Sequence, residues 1–193
     1  MYNTKRTLVI LLALLFSFHS FAQTPATTTS DSPSISIGAY GVAEIALGSY
    51  AQFARVAAGG GVSGEYALQA VPGLGFSGRI QAATIVPNAD EISSYWALGT
   101  LGGAFWRFSL SRNFALQPEL AAGMWLHNIK ATGKDGSTLS NMFIDPAVQA
   151  SLALRWKVSH FDLELAPVYT MLIEKSAILS LAGLRLGAVY AIK

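Results

Sequence analysis

The 193-residue chain contains no cysteine. That absence excludes a disulfide-stapled fold, a thiolate metal site and a thiol nucleophile. Charge is the second scarcity. Asp, Glu, Lys and Arg make up 12% of the residues, against about 25% in an ordinary soluble domain. Long apolar runs are missing as well. After the first twenty-two residues no segment approaches the ~20 consecutive apolar residues of a membrane-spanning helix. Yet 52% of the residues are hydrophobic and the mean hydropathy is +0.41, too apolar for a disordered chain. A chain this apolar with no helical span has to distribute its apolar residues along something other than helices.

The N-terminus reads as a targeting segment. Met1 to Arg6 is basic, Thr7 to Phe18 is apolar, and Ser20-Phe21-Ala22 sets small residues before Gln23. This is the pattern of a secretory signal peptide over residues 1–22. Residues 23–33, rich in Thr, Ser and Pro, have no periodicity and read as a flexible periplasmic lead segment. With Lys5 and Arg6 removed, eleven basic residues face eleven acidic ones. A chain near zero net charge gives no electrostatic case for nucleic-acid binding.

From Ser34 onward the hydrophobic period is two. Eight strands are expected: Ser34 to Leu47, Arg55 to Leu68, Leu74 to Thr84, Tyr95 to Phe108, Phe114 to His127, Ile144 to Lys157, Phe161 to Leu172 and Ile178 to Ile192. Three connections are tight: Gln69 to Gly73, Ser109 to Asn113 and Val158 to His160. Two are long and polar, Ile85 to Ser94 and Asn128 to Phe143. Short turns at one end and longer loops at the other are the asymmetry of an outer-membrane barrel. The expectation is therefore an all-β chain, an eight-stranded antiparallel up-and-down transmembrane β-barrel over residues 34–193.

The charges sharpen this reading. Twelve fall inside the expected strands: Glu44, Arg55, Glu65, Arg79, Arg107, Glu119, Asp145, Arg155, Lys157, Asp162, Glu164 and Arg185. Where a strand holds several, they share one parity, and the opposite parity is apolar or Gly. Which face lies inside cannot be read from alternation alone. A lipocalin-like barrel, with the apolar face lining a ligand cavity, is the soluble alternative. Aromatic placement favours the inverted arrangement. Trp106, Phe108, Phe114, Trp156, Phe161 and Tyr190 share the apolar face beside the short turns, as an interfacial girdle does. The exterior then meets outer-membrane lipid. The lumen holds a charge cluster of Glu44, Glu65, Arg79, Arg107, Glu119, Arg155, Lys157, Asp162, Glu164 and Arg185. Pairing across each tight hairpin is expected to join Glu65 with Arg79, Arg107 with Glu119, and Arg155 and Lys157 with Asp162 and Glu164. Arg185 and Glu44 are expected to approach where the last strand closes on the first.

Two segments carry a resemblance. Phe114-Ala-Leu-Gln-Pro-Glu-Leu-Ala-Ala-Gly123 is similar to the strand after a periplasmic turn, and Leu184-Arg-Leu-Gly-Ala-Val-Tyr-Ala-Ile-Lys193 to a C-terminal assembly signal, although it ends in Lys193 rather than an aromatic residue. In these the chain resembles the small eight-stranded outer-membrane barrels of the outer-membrane protein A, X and W kind, from about Ser34 to Lys193. The resemblance implies architecture more than activity.

An eight-stranded barrel is just wide enough for side chains. Two functional readings follow: a narrow porin-like pore for small solutes, with the charge cluster as its constriction, or a closed structural or adhesive barrel whose charges satisfy one another while the loops meet extracellular partners. A lipid-modifying enzyme is a third. His127, at the top of the fifth strand, with Ser137, Ser140, Asp135 and Asp145 near it, is the one place for such a site. Asn128 and Ile129 follow the histidine without the serine two residues on that lipid A deacylase barrels lead one to expect. No enzyme activity, cofactor or metal is expected. Gly59-Gly-Gly-Val-Ser-Gly64 lacks the Lys and Ser/Thr of a phosphate-binding loop and opens no helix; its glycines suit tight curvature.

Overall fold

A computed structural model of the protein describes residues 35–88, 91–133, 137–174 and 177–192. The signal peptide and lead segment expected over residues 1–33 lie outside the described residues, as does Asp135. Eight strands form: β1 Ile35–Leu47, β2 Ala54–Ala67, β3 Leu74–Pro87, β4 Ile92–Trp106 with a short continuation at Phe108–Ser109, β5 Phe114–Thr132, β6 Thr138–Val158, β7 Phe161–Ile173 and β8 Ile178–Ile192. A single 3₁₀ turn, Gly48–Gln52, joins β1 to β2. Every neighbouring pair is antiparallel. β1 pairs with both β2 and β8, and β4 pairs with β5, so the sheet closes with no edge within the barrel wall.

The register fixes the dimensions. Starting from Gly41, the pairs run through Gly60, Ala82 and Leu98 to Leu126 on β5. In the other direction they run through Leu186, Leu165 and Leu154 to Leu116 on the same strand. The circuit thus misses closure by ten residues. Eight strands with a shear of ten tilt by about 40° and place the backbone about 8 Å from the axis. That leaves room for packed side chains and little else.

Alternation decides what fills the space. In β3, Gly75, Ser77, Arg79, Gln81, Ala83 and Ile85 are buried while Phe76, Ile80, Ala82 and Val86 are exposed. The other strands repeat this, so the polar parity lines the lumen and the apolar parity faces outward: Leu152, Leu154, Leu163, Leu165, Leu184 and Leu186 all stand on the outer wall. The lipocalin-like alternative is overturned, because its apolar face would point inward. A continuous apolar exterior of this kind needs hydrocarbon around it.

Two connections differ from expectation. β5 and β6 continue as a paired hairpin up to Thr132 and Thr138, with Asn128 opposite Met142 and Lys130 opposite Ser140. Most of the loop expected over Asn128 to Phe143 is therefore strand. β3 and β4 likewise extend to Pro87 and Ile92. The β6 extension carries polar residues on both faces, Thr138 and Ser140 on one and Asn141 on the other, so a pattern search for apolar alternation cannot see it.

Candidate functional site

The lumen is built in layers. Nearest the short turns, seven charged side chains alternate in sign along one continuous chain: Arg107, Glu65, Arg155, Glu164, Arg185, Glu119 and Arg79. Arg107 donates from Nη2 to Glu65 Oε2 at 3.0 Å and from Nε to Gln117 Oε1 at 2.9 Å. Arg155 donates to both oxygens of Glu65, at 2.9 Å from Nη1, and to Glu164 Oε2 at 2.6 Å. Arg185 Nε donates to Glu164 Oε1 at 2.6 Å, and its Nη2 lies 3.8 Å from Glu119 Oε2. Arg79 and Ser77 both donate to Glu119. Each carboxylate sits between two guanidinium groups, the condition under which buried charges are tolerated. All but Arg107 are almost fully buried.

Above this lies a second polar layer, around Glu44. Thr170 donates to Glu44 Oε1 at 2.7 Å and accepts from Gln149 Nε2 at 3.0 Å. Gln149 Oε1 in turn accepts from Arg79 at 3.4 Å, which ties Glu44 to the network below. Higher still, the far end is filled by an apolar cluster around Trp125, which is 0% exposed, with Tyr50, Ile85, Tyr95, Leu101, Leu172 and Leu181. The Tyr50 hydroxyl lies 2.8 Å from that of Tyr95. Burial, reinforced by Tyr95, holds the Tyr50 phenol far above its ordinary range. The cross-section is thus blocked twice, by the ionic chain below and by Trp125 and the tyrosines above.

The barrel alters several expected pairings. Arg79 stands opposite Ser63 and Glu65 opposite Ser77, so these two do not pair across their hairpin. Glu65 instead reaches Arg155, four strands away. Arg107 leaves the ladder between β4 and its continuation, its N–H bonding Gly73 O at 2.7 Å, and its side chain reaches Glu65 rather than Glu119. Arg155 with Glu164 is the hairpin pair that does form. Arg185 binds Glu164, not Glu44. Lys157 is exposed and Asp162 half-buried at the rim. They are cross-strand neighbours, but no ion pair joins either to the network. Arg55 also stands outside, since a register shift at the top of β2 turns it to Asn88, which it bonds at 2.7 Å.

On the exterior, Phe114 stacks on Trp156 with centroids 6.1 Å apart, Phe161 meets Tyr190 at 5.2 Å, and Trp106 meets Phe108 at 6.3 Å. All six rings of the expected girdle therefore lie at the short-turn end, in three pairs.

At the opposite end, His127 is buried beneath Phe143, their rings 6.1 Å apart. Its Nδ1 is 3.1 Å from the Tyr95 hydroxyl and its Nε2 3.8 Å from Asp145 Oδ2. Ser140 takes its hydrogen bond from Asn128 at 3.3 Å instead. The hydroxyl that meets the ring is therefore that of Tyr95, and the Asp145 carboxylate faces the other nitrogen without bonding it. No group of three metal-ligating side chains occurs among the described residues. The tyrosine partners of His127 were not legible in the sequence, because Tyr50 and Tyr95 lie on other elements without any shared motif.

No family model matches the chain, and no curated relative does. Solved structures do match. Neisserial surface protein A is 14% identical, with a TM-score of 0.59 over 82% of this chain and 97% of that one. The N-terminal β-barrel domain of OprF from Pseudomonas aeruginosa is 16% identical, with 0.55 over 80% and 97%. Ail, the attachment invasion locus protein of Yersinia pestis, is 16% identical, with 0.50 over 81% and 95%. The fold is that of a small outer-membrane barrel. In such a barrel the apolar outer wall is the lipid-facing surface, and the paired aromatics stand where an interfacial girdle belongs.

Proposed function

We propose that the protein resides in the outer membrane as a closed barrel and acts through what it displays outside the cell rather than through what it conducts. Residues 1–22 direct export and are removed, residues 23–33 lead into the barrel, and the short-turn end faces the periplasm. The two packed layers of the lumen support the closed reading over a porin-like pore.

The observation that carries the display role is the β6 edge. β6 pairs with β7 only from Ala147 onward. Thr138 to Ile144 are exposed and uncharged, and among the described residues they pair on one side alone, to β5. Leu139, Met142 and Ile144 are each more than 60% exposed. An uncharged, β-prone edge above a membrane is a template for strand addition, with main-chain hydrogen bonds giving affinity and alternate side chains giving selectivity. The partner is an extended, uncharged segment of an extracellular protein. The test uses folded protein in lipid vesicles and a fluorescent peptide of alternating Thr and Val. Binding that is lost in Met142→Pro, together with silence in planar bilayers, supports the proposal. Discrete conductance steps without peptide binding would return the protein to the porin reading.

A further inference from the structure

The far end of the lumen holds a hydrogen-bonded relay that the display role does not use. It runs from Tyr50 in the 3₁₀ turn to Tyr95 on β4 and His127 on β5, and Asp145 on β6 faces the far side of the ring without bonding it. The imidazole is 1% exposed and boxed by rings: Tyr95 at 5.8 Å, Trp125 at 5.9 Å and Phe143 at 6.1 Å. Its Nε2 and the facing Asp145 Oδ2 are both buried and neither has a hydrogen-bond partner. At 3.8 Å they stand beyond hydrogen-bonding distance of each other. The titratable groups around the ring are the two phenols, Asp145 and, beyond β7, Glu174, whose charge is felt at both tyrosines. Burial, with Asp145 adding to it, raises the Glu174 carboxyl above its ordinary value. The cluster residues from β3 and β8, Ile85, Leu179 and Leu181, carry no charge.

We propose that His127 is a proton sensor that holds the outer plug shut when neutral and loosens it when charged. In the neutral form Nδ1 accepts from the Tyr95 hydroxyl, and the hydrogen on Nε2 points toward Asp145. A second proton has to go on Nδ1, where it meets the Tyr95 hydrogen. Tyr95 must then turn its O–H away, and its bond with Tyr50 has to reverse or break. The new charge sits in an aromatic box with its carboxylate too distant to bond it, so burial is no longer compensated. Relief comes from drawing Asp145 inward or from exposing the ring, and either movement shifts His127 against Trp125. The sign follows: the fit is present above the imidazole range and lost as pH falls through it.

Trp125 supplies the readout, because an imidazolium beside an indole quenches its emission. Folded protein in neutral lipid vesicles is titrated from about pH 7.5 to about pH 4.5, the span in which histidine changes charge, while tryptophan emission and acrylamide quenching are followed. Trp125 emission is expected to fall about two-fold and acrylamide access to rise about two-fold at the acid end. The Trp125→Phe and His127→Gln variants, checked for folding by heat-modified gel mobility, are expected to show neither change. Asp145→Asn, which removes the facing anion, is expected to move the transition to lower pH and serves if His127→Gln does not fold. A flat wild-type titration, a transition that survives in His127→Gln, an unmoved transition in Asp145→Asn, or access that falls on acidification would each overturn the proposal. The measurement reads the outer plug alone, so its failure leaves the closed-barrel and display readings standing.

Discussion

Arg155 bridges two carboxylates of the alternating chain, and replacing it with Gln is the most informative single perturbation of the barrel. The guanidinium is 2% exposed and makes three charge-assisted hydrogen bonds, two to Glu65 and one to Glu164. Such bonds contribute about 1.5–3 kcal/mol each, but the loss is not their sum. Glu65 keeps Arg107 and Gln117, and Glu164 keeps Arg185. What remains is two half-satisfied carboxylates in a confined space, and breaking a buried pair in this way costs about 3–5 kcal/mol. Glu164→Gln removes the charge shared by Arg155 and Arg185 and turns one of its two acceptor oxygens into a donor, and should cost about 3 kcal/mol by the same reasoning. The double variant removes an opposite pair together. It should lose about 1–2 kcal/mol less than the two singles combined, as residues in one network do. Urea titrations in lipid vesicles, read by tryptophan emission and heat-modified gel mobility, give all four corners of the cycle. A hydrated lumen would screen these charges and make every corner equal. Arg155→Gln within about 0.5 kcal/mol of wild type, the range of an ordinary surface change, would refute the plugged network.

Three further outcomes follow from the same structure. Leu165→Arg and Ala104→Arg, both on the outer wall, should each cost about 2–4 kcal/mol or block insertion into vesicles. Folding yields equal to wild type would show that the wall does not face lipid. Glycines should divide by what a Cβ would meet: at Gly123 it would lie 1.9 Å from the Thr100 carbonyl oxygen, whereas at Gly78 it would meet nothing within 4 Å. Gly123→Ala should therefore lower stability by roughly 1–3 kcal/mol, as overpacking does, while Gly78→Ala leaves it within about 0.5 kcal/mol in the same urea assay. An epitope inserted after Gly133 should be labelled on intact cells and one after Arg112 should not; labelling only at Arg112 would invert the topology.

The fold was legible because strand periodicity is local. Arg155, Lys157, Asp162 and Glu164 show their shared parity to anyone counting by two, and the tight Val158 to His160 turn marks where that parity switches. The girdle aromatics could be read for the same reason, since five of the six sit within a few residues of a short turn and Tyr190 sits near the end of the last strand. The pairing inside the lumen could not. A hairpin rule assumes that side chains meet across neighbouring strands, which is sound on an open sheet. In a barrel about 8 Å in radius, a long arginine reaches the axis and finds partners on the opposite wall. Arg155 reaches Glu65 across ninety residues of sequence, a contact set by the shear and not by any spacing. Lys157 differs for a related reason: it has the inward parity, but it sits one pair before the turn-closing Val158 and Phe161, where the lumen ends and water begins.

The projecting sheet was illegible for the opposite reason. Thr138 to Ile144 alternate too weakly to announce a strand, because above the bilayer neither face is forced to be apolar. They are ordered by main-chain pairing with β5, whose inner half is anchored by the buried Trp125 and His127. That coupling links the two proposals of function. The edge offered to a partner continues directly from the segment whose histidine senses protons, so a change at His127 has a rigid path to residues 138–144. Strand addition to β6 orders the hairpin from above, and charging His127 loosens it from below. If both hold, peptide affinity in vesicles should fall about two-fold or more between about pH 7.5 and about pH 5, the range of histidine titration. His127→Gln should bind with the same affinity at both values. Affinity that declines equally in wild type and His127→Gln would place the sensitivity in the edge or the peptide and would separate the two ends of this hairpin.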